Sequence, residues 1–125
     1  MTSFSSLAGE RFISLTTFRR SGEAVSTPVW VASDGDALLV TTPAASGKVK
    51  RLHHTPRVEM RPCTRSGRVP EDAEPVSGTA EILREDRPDV FRAKYGLEYR
   101  IFMTVERLAS RGNKARVLLR ITPAG

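Results

Sequence analysis

Hydrophobic residues along the chain alternate with polar ones in several short runs, a pattern typical of β-strands. Residues 12–20 (FISLTTFRR) and 24–33 (AVSTPVWVAS) are rich in β-branched and aromatic side chains and are separated by a short polar turn at residues 21–23. This arrangement predicts a β-hairpin. Pro28 cannot donate a hydrogen bond to a neighbouring strand, so it indicates an edge, a bulge or a place that something other than a strand approaches.

Four further segments continue the strand pattern. Residues 37–42 (ALLVTT) are largely apolar and predict a central strand, and the remaining three predicted strands cover residues 57–63, 76–83 and 114–122. Short strands joined by hairpin turns predict a mainly β fold with an antiparallel sheet. A six-stranded sheet of this kind closes best as a small barrel, because closure removes exposed edges.

Helical spacing appears in two places. Residues 47–54 (GKVKRLHH) follow Ser46, which can cap the start of a helix, and Val49 and Leu52 form its apolar stripe. Residues 87–112 form the only long helical region, in which Gly96 can end one helix and residues 98–110 can form a second.

The composition fits one domain of 125 residues. The formal net charge is +6, but the 16 arginines among the 20 basic residues are scattered over the chain, so the charge is weak evidence for a nucleic-acid partner. Cys63 is the single cysteine, which excludes an intrachain disulfide. No apolar run approaches the ~20 residues of a membrane span, and the first residues lack the features of a secretory signal. We therefore expect a cytoplasmic protein.

Common enzyme motifs are missing from the sequence. There is no G-x-S-x-G hydrolase motif and no G-x-x-x-x-G-K-[ST] phosphate loop. His53 and His54 are adjacent, and adjacent side chains on a helix point about 100° apart, so we expect no metal site there.

The basic helix is the first candidate binding feature. A helix start offers free backbone N–H groups and the positive end of the helix dipole, which suits a phosphate, and Gly47 allows close approach. Lys48 lies in the first turn, and Arg51 follows one turn later on the same side. Lys50 points elsewhere. The alternative interpretation is a solvated amphipathic helix with a basic outer face.

Two strand segments are further candidates. The stretch STPVW, residues 26–30, could expose backbone groups to a flat ligand, or Trp30 could be a core residue and Pro28 the site of a bulge. Thr41 and Thr42 could contact a ligand, or could simply end their strand.

Taken together, the segments ISLTTFRRSGEAVSTPVWVASDGDALLVTT and SGKVKRLHHTPRVEM resemble the pyridoxamine-phosphate-oxidase-like split β-barrel superfamily. More narrowly, they resemble small proteins in it that are deazaflavin (coenzyme F420)-dependent oxidoreductases. The resemblance implies one six-stranded antiparallel split-barrel domain over residues 1–125. It also implies a homodimer with cofactor sites at the subunit interface.

The same resemblance implies hydride transfer from reduced coenzyme F420 to a small-molecule acceptor, with no obligatory catalytic side chain. The proton donor is left open between solvent and a side chain such as Tyr95 or Tyr99. The alternatives are an FMN-dependent oxidoreductase of this fold, a non-catalytic flavin or haem carrier, and a nucleic-acid binder, which the dispersed charge argues against. The implied cofactor contacts are Ser46, Gly47, Lys48, Lys50 and Arg51 for the phosphate and adjoining tail, Thr41 and Thr42 for the linker, and Ser26, Thr27, Pro28, Val29 and Trp30 for the ring.

Overall fold

The computed structural model describes residues 3–83, 88–98, 101 and 116–124. Within them, seven antiparallel strands form one sheet. In chain order the elements are a 3-10 helix Ser5–Gly9, β1 Ile13–Phe18, β2 Ala24–Val29, β3 Ala32–Asp34, β4 Ala37–Pro43, α1 Gly47–His54, β5 Arg57–Pro62, β6 Val76–Leu83, α2 Pro88–Tyr95 and β7 Arg116–Pro123.

The strand order across the sheet is β2-β1-β5-β6-β7-β4-β3. The two outermost strands, β2 and β3, are consecutive in the chain and are joined through Trp30 and Val31 alone. The sheet therefore curls until its two edges approach each other at this connection. This confirms the predicted mainly β, antiparallel split-barrel fold, and Pro28 lies on an edge strand, one of the positions that its missing N–H allows.

The count of seven strands differs from the predicted six because the segment of residues 24–33 divides into β2 and β3. At the division, the Val31 N–H donates to the Tyr95 hydroxyl at 3.0 Å, and the Val31 carbonyl accepts from Lys94 Nζ at 2.7 Å. Side chains of α2 thus satisfy the backbone of Val31 where a neighbouring strand would otherwise do so. Residues 29–32 (VWVA) are all apolar, so the sequence pattern gives no sign of the break.

The inside of the curled sheet holds the main core. Its largest fully buried members from the strands are Ile13, Leu15, Leu38, Val40, Met60, Leu119 and Ile121, and Leu7 of the 3-10 helix and Val31 join them. A second apolar cluster lies on the outer face, where Phe91 and Tyr95 of α2 pack with Trp30, Leu39 and Leu118. This outer cluster fixes the position of Trp30 and of the connection between the two sheet edges.

Helix α1 has the predicted bounds and the predicted cap. Ser46 is extended (φ −69°, ψ 157°), and its side chain accepts a hydrogen bond from the Val49 N–H. Val49 and Leu52 are buried, and the helix packs against β1 and β6. Burial of this stripe turns the other side of the helix, with its basic residues, away from the core.

Helix α2 ends before Gly96, which has φ +57°, a conformation that a glycine adopts without steric cost. Of the second helix predicted over residues 98–110, only Glu98 and Ile101 are described, so this prediction lies largely outside the described residues. The sequence did not predict the 3-10 helix at Ser5–Gly9. In the described ranges, every helix is too short or too polar to span a lipid bilayer.

Candidate functional site

A cleft of about 850 Å³ opens where β2 leads into β3, β4 ends and α1 begins. Six of the twelve predicted site residues line it: Pro28, Val29, Trp30, Thr41, Thr42 and Lys48. The other described residues at the cleft are Phe12, Pro43, Arg65, Leu97, Glu98, Ile101 and Arg116. The ends of strands that are distant in sequence therefore converge with the start of the basic helix around one space of ligand size.

One end of the cleft is cationic. Burial lowers the pKa of Lys48 from its usual 10.5, and the nearby positive charges of Arg51 and Arg116 lower it further. The Arg116 Nε donates to the Thr41 hydroxyl at 3.1 Å, which orients the guanidinium. An anion bound close to Lys48 and Arg116 would be attracted by both positive charges.

Arg116 was not among the residues predicted from the sequence. It begins β7, a predicted strand, and its partner in the register is Pro43 at the end of β4. The alternation of β7 places Arg116 on the outer face with Leu118, away from the buried Val117. That alternation was available in the sequence, but the pairing of β7 with β4, which brings Arg116 to the cleft, was not.

Ser46 and Gly47 lie at the start of α1 but do not line the cleft. The Ser46 hydroxyl accepts hydrogen bonds from the Val49 N–H at 3.4 Å and from the Thr42 hydroxyl at 3.1 Å. A Cβ atom added to Gly47 would lie 2.7 Å from Nη1 of Arg51. The Arg51 side chain therefore folds back over the first residue of the helix, which the absence of a side chain at Gly47 permits.

Lys50 and Arg51 line a separate cavity of about 480 Å³, together with Arg19, Arg20, Ser21, His53 and His54. The Arg51 Nε donates to the buried Thr17 hydroxyl at 2.6 Å. Burial, and then the charge of Arg19, lower the pKa of Arg51. The basic helix thus presents Lys48 to one cavity, and Lys50 and Arg51 to another.

Ser26 and Thr27 precede the cleft residues of β2 and line neither cavity. The Ser26 and Thr16 hydroxyls are 2.7 Å apart and share a hydrogen bond. The Thr27 Oγ1 is buried and has no hydrogen-bond partner among the described residues.

The other end of the cleft is flat and apolar. Trp30, which is 8% exposed, stacks on Tyr95 with ring centroids 4.6 Å apart. The Trp30 ring belongs to the outer cluster, as the core interpretation predicts, and it also lines the cleft. Leu97 and Ile101 lie at the same cleft and are exposed.

Charged residues flank this apolar end. Glu98 forms ion pairs with Arg11 and with Arg65, the latter at 2.8 Å. The Arg65 guanidinium lies 5.7 Å from the centre of the Phe12 ring, within the range of a cation–π contact. These contacts join three separate segments of the chain at the apolar end of the cleft.

Tyr95 is one of the two candidate proton donors. Its hydroxyl accepts from the Val31 N–H and lies 2.8 Å from the Arg11 carbonyl oxygen and 3.0 Å from that of Val31. Burial raises the pKa of Tyr95 to about 12. The hydroxyl is thus engaged with the backbone and has a structural role; Tyr99, the other tyrosine, lies outside the described residues.

A family model described as pyridoxamine 5'-phosphate oxidase matches residues 4–125. No curated protein sequence matches the chain.

Similar solved structures carry several functional names. An F420 reductase is 21% identical with a TM-score of 0.66, and the match covers 100% of this chain and 96% of that one. The heme storage protein HutZ from Vibrio cholerae is 13% identical with a TM-score of 0.66, covering 97% and 87%. An FMN-binding, pyridoxamine 5'-phosphate oxidase-related protein from Nostoc punctiforme is 17% identical with a TM-score of 0.57, covering 95% and 73%. At these identities the likeness is one of fold.

Proposed function

This chain belongs to the pyridoxamine 5'-phosphate oxidase family, and we propose that it is an oxidoreductase that transfers a hydride from reduced coenzyme F420 to a small-molecule acceptor. The observation that carries the proposal is the division of the cleft into a cationic end at Lys48 and Arg116 and a flat apolar end at Trp30. A ring cofactor with a phosphate-bearing tail needs both surfaces in one continuous space.

At the cationic end, Lys48 would hold the cofactor phosphate, with Arg116 as a second positive charge. Thr41 and Thr42 would contact the chain that links phosphate to ring. The start of α1 lies beside Lys48, so the positive end of the helix dipole would favour the same anion. Because charge-assisted hydrogen bonds are the stronger ones, most of the tail affinity would come from the two cations.

At the apolar end, the ring would lie along the backbone from Ser26 to Trp30. Lys50 and Arg51, in the neighbouring cavity, would attract the remainder of an anionic tail. When bound, the reduced deazaflavin would supply the hydride. The protein would bind and orient it and keep water away, so no catalytic side chain is required.

FMN is the second candidate, because it also combines a flat ring with a phosphate and because one protein of similar fold is FMN-binding. Haem storage is less well supported. A haem iron commonly takes a histidine ligand, and the two histidines of the chain, His53 and His54, both line the other cavity. No histidine lines the described part of the cleft.

The proposal is tested by titrating the protein separately with oxidised coenzyme F420, FMN and haemin while following the fluorescence of Trp30, the single tryptophan. We expect F420 to bind most tightly. Tighter binding of FMN would make the FMN oxidoreductase the correct assignment, and tight binding of haemin alone would contradict an oxidoreductase.

Oligomeric state is a separate proposal. We propose a homodimer, as the family resemblance implies, and sedimentation velocity on the purified protein tests it. A monomer at concentrations where the cofactor binds would refute the idea that a second subunit completes the site.

A further inference from the structure

Lys94 is a half-buried lysine of α2 whose side-chain nitrogen meets three backbone carbonyl groups. Its Nζ donates to the oxygens of Ala8 and Glu10 at 2.8 Å each, and to the oxygen of Val31 at 2.7 Å. A protonated lysine has three N–H donors and no acceptor, so these carbonyls use its whole hydrogen-bonding capacity. A neutral amine has only two N–H groups, and the arrangement therefore fits the charged form.

The three carbonyls belong to parts of the chain that lie outside the strands. Ala8 lies in the 3-10 helix and Glu10 follows that helix, whereas Val31 lies between β2 and β3. The pairing of β1 with β2 begins at Val29, and the pairing of β3 with β4 begins at Ala32. Lys94 therefore joins the segment before β1 to the connection between the two sheet edges, where strand pairing does not hold either.

Two walls of the cleft lie next to these carbonyls. Phe12 lies two residues after Glu10, and Trp30 directly precedes Val31. Both rings line the cleft, and both residues lie outside the strands. Their positions therefore depend on the backbone contacts that Lys94 makes before Phe12 and after Trp30.

A charge at this position carries a cost. Burial lowers the pKa of Lys94, the positive charge of Arg11 lowers it further, and Glu10 acts in the opposite direction. An apolar side chain of the same length would avoid the cost of burying a charge. It would also leave the three carbonyls without these donors, and a buried acceptor that loses its partner is costly.

We propose that the ammonium group of Lys94 is a positioning group for the cleft, which holds the backbone before Phe12 and after Trp30 and thereby keeps the two rings in place for a ligand. The inference rests on the proposed function only in that the ligand is the cofactor. The position of the rings is measurable in the cofactor-free protein.

The test uses Lys94→Ala with propylammonium, which supplies the three carbons and the ammonium group that the substitution removes. Acrylamide quenching of fluorescence reports the accessibility of Trp30, which is the single tryptophan and is 8% exposed. We expect Lys94→Ala to raise the quenching constant about threefold through local opening. Saturating propylammonium should reverse most of this rise and should not affect the unchanged protein, in which the carbonyls already have their donor.

Two additives and one variant serve as controls. 1-Propanol has the same carbon chain with a single O–H donor, and tetramethylammonium has the charge without an N–H donor. Neither should reverse the rise. Equal reversal by 1-propanol would show that filling the space is sufficient, and equal reversal by tetramethylammonium would show that charge alone is sufficient; either result would overturn the inference. Arg68→Ala, which removes an exposed cation, should leave the quenching unchanged.

A second variant covers the case in which Lys94→Ala does not fold. Lys94→Met keeps an unbranched apolar chain but has no donor, so it should raise the quenching constant as Lys94→Ala does. Unchanged quenching in a folded variant would overturn the inference. Loss of the far-UV circular dichroism signal in both variants, without recovery in propylammonium, would assign Lys94 to the stability of the whole fold and would also overturn it.

Binding of oxidised coenzyme F420 separates this inference from the proposed function. Lys94→Ala should weaken F420 binding, and propylammonium should restore it. If F420 fails to bind the unchanged protein while Trp30 responds as predicted, the cofactor assignment fails and the positioning of the cleft wall stands. If F420 binds the unchanged protein and Lys94→Ala with equal affinity, the positioning role fails alone.

Discussion

Replacing Tyr95 with Phe should destabilise the protein without disturbing the stacking of this ring on Trp30. The substitution removes only the hydroxyl, which accepts from the Val31 N–H at 3.0 Å. Val31 is fully buried, so its N–H would lose its partner without gaining water. A buried donor left unsatisfied costs about 1–3 kcal/mol, and we expect a loss of about 2 kcal/mol in the free energy of unfolding.

The size of the protein converts this cost into a change in Tm. An unfolding entropy of about 2.1 cal/mol/K per residue gives about 0.26 kcal/mol/K for this chain, so Tyr95→Phe should lower Tm by about 8 °C. Urea unfolding followed by Trp30 fluorescence and by circular dichroism measures the same difference. The midpoint should fall while the slope stays constant.

The dependence on pH gives an independent check. Burial raises the pKa of Tyr95 from 10.0 to about 12, so folding favours the neutral hydroxyl. The resulting stability is present below pH 10 and is lost as the pH rises through 12. It amounts to about 2–3 kcal/mol at ~1.36 kcal/mol per pKa unit. The stability difference between the unchanged protein and Tyr95→Phe should therefore shrink over this interval.

A change of less than about 0.5 kcal/mol at pH 7, or a stability difference that stays constant between pH 9 and 12, would refute this reasoning. Phe91→Leu is the matched control, because it alters the same outer cluster but removes no hydroxyl. It should lower stability through lost packing and leave the dependence on alkaline pH unaltered.

Three further predictions concern single positions. Gly78→Ala should lower the free energy of unfolding, measured with urea, by about 1–3 kcal/mol. The added Cβ would lie 2.8 Å from Ile121 Cγ2 and 3.0 Å from the Thr122 carbonyl oxygen. An unchanged free energy of unfolding would contradict this packing. Ser46→Ala should lower the free energy of unfolding by about 1 kcal/mol, because the helix cap is lost. Ser46→Asp should retain most of the stability, because aspartate can also cap a helix. Equal losses in the two variants would exclude capping as the cause. The pKa of Lys48 is lowered, and a neutral amine binds phosphate poorly, so the affinity for oxidised F420 should begin to fall at a lower pH than it would with a lysine of ordinary pKa. Calorimetric titrations should show no such early fall in Lys48→Arg. Identical pH profiles for the two proteins would contradict the role of Lys48.

The predictable part of the fold was local. Ser46, Val49 and Leu52 specify the start and buried side of α1 by their spacing alone, and the structure agrees with the predicted bounds. The break between β2 and β3 was not predictable in the same way. It depends on Lys94 and Tyr95, more than 60 residues away, whose side chains bond to the backbone of Val31.

In the candidate site, too, local features were predictable from the sequence and long-range contacts were not. The helix start and the strand ends were recognisable because each carries its own local pattern. Arg116 enters the cleft only through the pairing of β7 with β4, and Leu97 enters through the packing of α2 on the outer face. The folding back of Arg51 over Gly47 also required the buried Thr17 hydroxyl on β1, which helix geometry alone does not reveal.

The most direct test of the central claim is the affinity for oxidised coenzyme F420 in four proteins: unchanged, Lys48→Gln, Arg116→Gln and Arg68→Gln. Arg68 is exposed and lines neither cavity, so it controls for net charge. Because hydrogen bonds to charged groups contribute about 1.5–3 kcal/mol, we predict at least tenfold weaker binding for each of the two cleft variants and a change below about twofold for Arg68→Gln. Equal affinities in all four proteins would contradict an anion-binding end at Lys48 and Arg116.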